Sequence, residues 1–144
     1  MEARLRWIEN AAFMAETASG HALVVDGSQE IGGRNLGPRP MELLLLAAGS
    51  CASMDVVSIL RKTRQKLASC EVKLAGTRAE TGTPKPYTAI HLQFIVAGNG
   101  LTEASVSRAV QLSVEKYCSA IASLAPDVKI THGYEIAGDE TTLG

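Results

Sequence analysis

Behind Pro40 runs Met41-Glu42-Leu43-Leu44-Leu45-Leu46-Ala47-Ala48-Gly49-Ser50-Cys51, in which apolar or small residues occupy nearly every helical face. A helix that is apolar all round does not belong on a surface; it belongs at the centre of a fold, covered on every side. Pro40 suits the first helical position, where its missing N–H costs nothing. The pattern predicts one long helix from Met41 to about Gln65. Its second half turns polar, and Arg61, Lys62 and Arg64 gather near the C-terminus, where the macrodipole favours cations.

The flanking segments read mostly as strands. Ala3 to Ile8 alternates, with Leu5 and Trp7 opposite Arg4 and Arg6, as a strand with one wet face would. Ala12–Thr17 and His21–Val25 continue a small meander. A loop rich in Gly and Pro follows from Asp26-Gly27 to Pro40, long enough to suggest a functional segment. After the helix, Ser69–Thr77 and Thr88–Val96 alternate as strands, the second with Ile90, Leu92, Phe94 and Val96 on one face. Thr102 is a good N-cap for a helix whose stripe Val106, Ala109, Val110, Val114, Tyr117, Cys118, Ile121 and Leu124 runs unbroken to Pro126. Val128–Ile136 is a last strand, and 137–144 reads as a frayed tail. Strands separated by helices packed on one face give an α+β class, here one domain over residues 1–144.

Composition excludes several functions. Lys and Arg number 14 against 15 Asp and Glu, so the net charge is −1. Without a basic run there is no footprint for nucleic acid, and without a polybasic patch none for an anionic membrane surface. No secretory signal is expected from Met1-Glu2-Ala3-Arg4-Leu5-Arg6. The longest apolar run, Leu43 to Ala48, is too short to span a bilayer. A cytoplasmic setting is expected, in which the odd set Cys51, Cys70 and Cys118 consists of free thiols rather than structural disulfides.

These thiols are the only candidate chemistry. His21, His91 and His132 fall on separate strands, and no Cys-x2-Cys spacing exists, so no metal site is expected. There is no phosphate loop and no nucleophile elbow. Cys51 lies in the central helix and Cys118 on the stripe of the later one; only tertiary structure can bring them together. They are either two small buried hydrophobes or a pair facing one another across packed helices. Gly49-Ser50 leaves little bulk beside Cys51, room that a small oxidant would need. Asp55, one turn on in an otherwise apolar or small stretch, requires a partner or solvent, and a carboxylate beside a thiol opposes its ionisation. Cys70, between Ser69 and Glu71, reads as structural.

The run Gly37 to Cys51, with Lys116-Tyr117-Cys118-Ser119 downstream and the order of elements over essentially the whole chain, resembles the OsmC/Ohr family of osmotically inducible and organic hydroperoxide resistance proteins. The resemblance implies an α+β fold assembled as an intertwined bacterial homodimer, with two central helices back to back. It implies a thiol-dependent peroxidase of oxidative and osmotic stress defence, with Cys51 as the peroxidatic thiol and Cys118 as the resolving one. It further implies an external dithiol reductant, of which a lipoylated protein is the family's example, and neither metal nor bound cofactor.

The chain departs from that family in two places. The hydroperoxide reductases carry Glu directly after the Pro and an Arg in the first hairpin, which together promote ionisation of the thiol. Here Met41 follows Pro40, Glu42 is turned about 100° round the helix, and the hairpin at Ser19-Gly20 has no Arg. Glu42, Arg39, Arg34 and Asp55 are the candidates for a supporting role, with Arg4 and Arg6 further afield. The chain thus looks like a divergent OsmC-like subgroup, and the alternative to peroxidase turnover is a small-molecule binding or stress protein on the same fold.

Overall fold

The computed structural model describes residues 1–138, and these divide into two compact units, Met1–Leu44 and the chain from Leu45 onward. The expected tail at 139–144 lies outside the described residues.

The first unit is an antiparallel meander of β1 (Ala3–Glu9), β2 (Ala12–Thr17) and β3 (Ala22–Val25), followed by a loop with one 3₁₀ turn, Gln29–Ile31. Alternation placed all three strands to within one residue. It did not place a dry face on β1: Leu5 and Trp7 are exposed, Trp7 by 67%, so within this chain both faces of β1 are open. The loop is organised by Asp26, buried at its start. Its carboxylate accepts the backbone N–H groups of Gly27, Arg34 and Leu36 at 2.8, 2.9 and 3.1 Å. Three donors, led by Arg34, hold this carboxyl below its usual value of 3.8 against the cost of its burial.

Helix α1 (Pro40–Lys62) begins at the end of this unit and continues through the next. Glu42, third in the helix, reaches back to accept the N–H of Arg39 at 2.9 Å, the returning half of a capping box. Its offset from the position after Pro40 therefore has a structural use.

The second unit is built on a sheet ordered β4 (Lys66–Arg78), β5 (Tyr87–Asn99), β6 (Lys129–Ala137). The β4–β5 pair is antiparallel and β5–β6 is parallel, joined by a helical crossover. Ile90, Leu92, Phe94 and Val96 of β5 are all buried, as their alternation predicts. Ala48, Ala52, Val56 and Leu60 of α1 make the buried stripe of this helix at fourfold spacing. Gly49 packs hard against Leu74 of β4, where a Cβ would collide with the leucine methyls. The missing bulk at Gly49 therefore serves helix–sheet contact, and the space beside it is filled by Leu74.

Within the chain α1 is not covered on every side, as the small amount of sheet in 144 residues leads one to expect: 28% of its most apolar 18-residue stretch is buried, and Leu46 and Met54 are 53% and 71% exposed. The cause is supply, since one three-stranded sheet and one crossover cover a single stripe of a helix. Also, the apolar run reaches well past Ala48, so by length and composition α1 could cross a bilayer, although one side of it is packed in a protein core.

The second long helix is not continuous. It comprises α2 (Glu103–Leu112), a π-type turn Ser113–Tyr117, and the single-turn α3 (Ser119–Ala122). Thr102 caps α2 as expected, its Oγ1 accepting from Ser105 N at 3.3 Å. The turn closes with Cys118 N–H on the carbonyl of Ser113 at 2.9 Å, five residues back, after which Cys118 adopts extended backbone. The apolar stripe survives in the sequence while the helix under it breaks.

Candidate functional site

Cys51, Asp55 and Cys118 converge. The two sulfurs and a carboxylate oxygen of Asp55 all lie within 4.8 Å of one another. Cys51 and Asp55 share a face of α1 because they are four residues apart. Cys118 is delivered by the break between the π-type turn and α3. There it takes the N-cap position, its sulfur accepting from Ile121 N–H at 3.4 Å and lying 3.8 Å from the carbonyl of Ala48. A helix following directly from Leu112 would not present residue 118 in this way.

The two thiols differ in setting. Cys51 is half-buried, while Cys118 is 3% exposed. Burial first, and then the neighbouring Cys51, push the Cys118 thiol up to about 11 despite the Ile121 N–H that opposes the rise. At neutral pH Cys118 is accordingly a thiol and not a thiolate. Both cysteines are free, and a disulfide of about 2.05 Å requires an approach of at most about 2.8 Å from the present separation.

Asp55 brings a buried oxygen, Oδ2, that has no hydrogen-bond partner among the described residues. Unpartnered buried carboxylate oxygens are costly, and this one belongs to the carboxylate that adjoins the two sulfurs. Asp55 also forms part of the wall of a cavity of about 490 Å³ shared with Ile59, Lys62, Leu112 and Tyr117, a cavity that neither cysteine lines. Two sulfurs and a carboxylate could serve as a redox pair with a neighbouring base, or as three ligands for a soft cation.

The remaining candidates are described within their own units. Glu42, Arg39 and Arg34 belong to the first unit. There Arg39 Nη1 pairs with Glu42 at 3.5 Å, and Arg34 pairs with Glu9. Arg6 pairs with Glu16 at 3.0 Å. Cys70 is half-buried on β4, its thiol pushed up by burial, and it borders a groove of about 670 Å³ along Ser53, Met54 and Arg61 of α1. Sequence reasoning missed Lys62 and Tyr117 as cavity walls. The signal was available for Lys62, since 51, 55 and 62 recur at helical spacing on one face. It also missed Ser113, a fully buried serine beside the cluster.

The comparisons agree with this architecture. The family model "OsmC-like protein" matches residues 32–133. The chain is 48% identical to Protein YhfA of Escherichia coli strain K12 over 136 residues, 94% of this chain and 98% of that one. A solved structure from Aquifex aeolicus VF5, described as a hypothetical protein, superposes with a TM-score of 0.84 at 33% identity, covering 96% of this chain and 97% of the other. A Legionella pneumophila structure described as an organic hydroperoxide resistance protein superposes at 0.69 with 16% identity over 93% and 95% of the two chains, a likeness of fold alone. With a family match that takes in both cysteines and a relative nearly half identical along its whole length, the chain is a member of the OsmC family.

Proposed function

We propose that this chain is a thiol peroxidase that reduces organic hydroperoxides or peroxide with Cys51 as nucleophile and Cys118 as resolving thiol. The observation that carries the reading is the approach of the two sulfurs to within 4.8 Å of one another. Resistance to organic hydroperoxides, stated for the Legionella relative, is consistent with it.

The Cys51 thiolate attacks one oxygen of the peroxide, the O–O bond breaks, and the departing alkoxide takes a proton to leave as alcohol. Cys51 is left as sulfenic acid. The Cys118 sulfur then attacks the Cys51 sulfur; its proton leaves with the hydroxyl as water, and a disulfide forms. Cys118, protonated at rest, suits the second role better than the first. An external dithiol, such as the lipoyl group of a lipoylated protein, reduces the disulfide by exchange and is itself oxidised to a disulfide. On this reading the chain works as a homodimer in a reducing, cytoplasmic setting, its exposed α1 face covered by the partner.

A second reading, a small-molecule binding protein with little turnover, is favoured by the engagement of Glu42 with Arg39 and by the carboxylate of Asp55 beside the thiols. The two are separated by incubating the reduced chain with cumene hydroperoxide and dihydrolipoamide. Consumption that disappears in Cys51→Ser supports the peroxidase. A wild-type chain that consumes nothing overturns it.

A further inference from the structure

We propose that the reduced Cys51–Asp55–Cys118 cluster is also a binding site for a thiophilic divalent cation such as Zn²⁺, with water from the adjoining cavity as fourth ligand. This goes beyond the peroxidase reading and does not depend on turnover.

Three observations carry it. The donor set is two sulfurs and a carboxylate, a mixture suited to zinc. All three ligand atoms lie within 4.8 Å of one another, whereas tetrahedral zinc with Zn–S near 2.3 Å holds its ligands about 3.7 Å apart. The closure required is therefore at most about 1 Å, and Cys118, which sits in extended backbone between two short helical turns, is placed to make it. Finally, Oδ2 of Asp55 is buried and unpartnered among the described residues, and it belongs to the same carboxylate that has an oxygen within 4.8 Å of both sulfurs.

The cavity of about 490 Å³ borders the cluster at Asp55 only, and the fourth ligand would be a water reached from that side. A site with three protein ligands and one exchangeable water differs from the closed four-ligand sites that hold structural zinc. Its ligands come from two elements far apart in the chain, so no short Cys/His spacing announces it.

Binding displaces the two thiol protons to solvent, and the metal takes both sulfurs as thiolates. Formation of the Cys51–Cys118 disulfide removes those same donors. Cation and disulfide are thus mutually exclusive states of one cluster, and a bound cation withholds Cys51 from peroxide.

The test uses the full chain carrying Cys70→Ser, which leaves the cluster as the only source of thiolate. The reduced protein is titrated anaerobically with Co²⁺, followed by sulfur-to-cobalt charge-transfer absorption, and then with Zn²⁺ in competition. One Co²⁺ per chain, displaced by Zn²⁺, is expected. The absorption should be lost in Cys51→Ser and Cys118→Ser. Asp55→Asn should weaken binding at least about tenfold, since loss of even an outer-shell partner costs that much. Should a variant fold poorly by thermal melt, the same chain oxidised beforehand with diamide gives the second measurement, and it should show no absorption. An absent band, a band that persists after diamide, or unchanged affinity in Asp55→Asn overturns the assignment. Peroxide is absent throughout, so a chain that binds Co²⁺ but consumes no hydroperoxide upholds this inference while refuting the peroxidase.

Discussion

The hydroxyl of Ser113 donates a 2.8 Å hydrogen bond to the carbonyl of Ala52, one residue past Cys51, and thereby ties the π-type turn that precedes Cys118 to the helix that carries its partner. Ser113 is fully buried. Ser113→Ala should lower stability by about 1 kcal/mol, the net worth of one such bond, or about 3–5 °C in melting temperature for a chain of this size. Its larger effect should be on chemistry, because the bond helps to fix how far one sulfur lies from the other. Stopped-flow measurement should show slower disulfide formation after a peroxide pulse, with sulfenic acid formation at Cys51 unchanged. An equal slowing of both steps would mean that Ser113 supports the fold only.

The uncovered face of α1 predicts how the chain assembles. Met54 and Leu46 are exposed in the chain, and a partner copy is the proposed cover. Met54→Glu would place a charge in the middle of such an interface, where an unpaired buried charge is strongly disfavoured. Light scattering should report a dimer for the wild type and a monomer for Met54→Glu. Because Met54 takes no part in the buried stripe Ala48, Ala52, Val56 and Leu60, the variant should keep its folded far-UV circular dichroism. A monomeric wild type would refute the dimer.

Acid should act on the loop between β3 and α1. The Asp26 carboxyl is held below 3.8 by the N–H groups of Arg34, Leu36 and Gly27, so the folded state favours its ionised form. The resulting stability is fully present above 3.8 and is lost as pH falls through the lower folded value. Asp26→Asn keeps the shape but not the charge, and should be less stable than the wild type at neutral pH. Denaturant midpoints taken at falling pH should show the gap narrowing below about pH 3.8. A gap independent of pH would indicate that Asp26 acts through shape alone.

What could be read from the chain depended on how local its cause was. Helix α1 was placed within three residues at its far end and one at its start because its signals are local: Pro40 at the first position and an unbroken apolar run. Strand β5 was clear because Ile90 to Val96 alternate. The break before Cys118 was invisible because a five-residue turn advances the apolar face without interrupting its pattern. Their placement on two helices left Cys51 and Cys118 either as two buried hydrophobes or as a facing pair, and only the resemblance to a family chose the pair. The role of Gly49 was misjudged because its neighbour, Leu74, comes from another element. Asp55 was noticed as a misplaced carboxylate, but its surroundings come from the π-type turn and could not be foreseen.

The division of labour between the two thiols makes the sharpest demand. Cys118 is buried and pushed up to about 11, so on the proposed reading it meets peroxide only through Cys51. Cys118→Ser should therefore leave the first step intact and remove the second. One equivalent of hydroperoxide per chain should be consumed in a burst, and Cys51 should persist as sulfenic acid, trapped by a 1,3-dione and located by mass spectrometry. Turnover with a dithiol should fall at least about tenfold, since exchange now depends on an encounter and not on a held neighbour. Cys51→Ser should show neither burst nor adduct. A full-rate burst in Cys51→Ser that vanishes in Cys118→Ser would reverse the two roles, and it would require the buried sulfur to be the one that peroxide reaches.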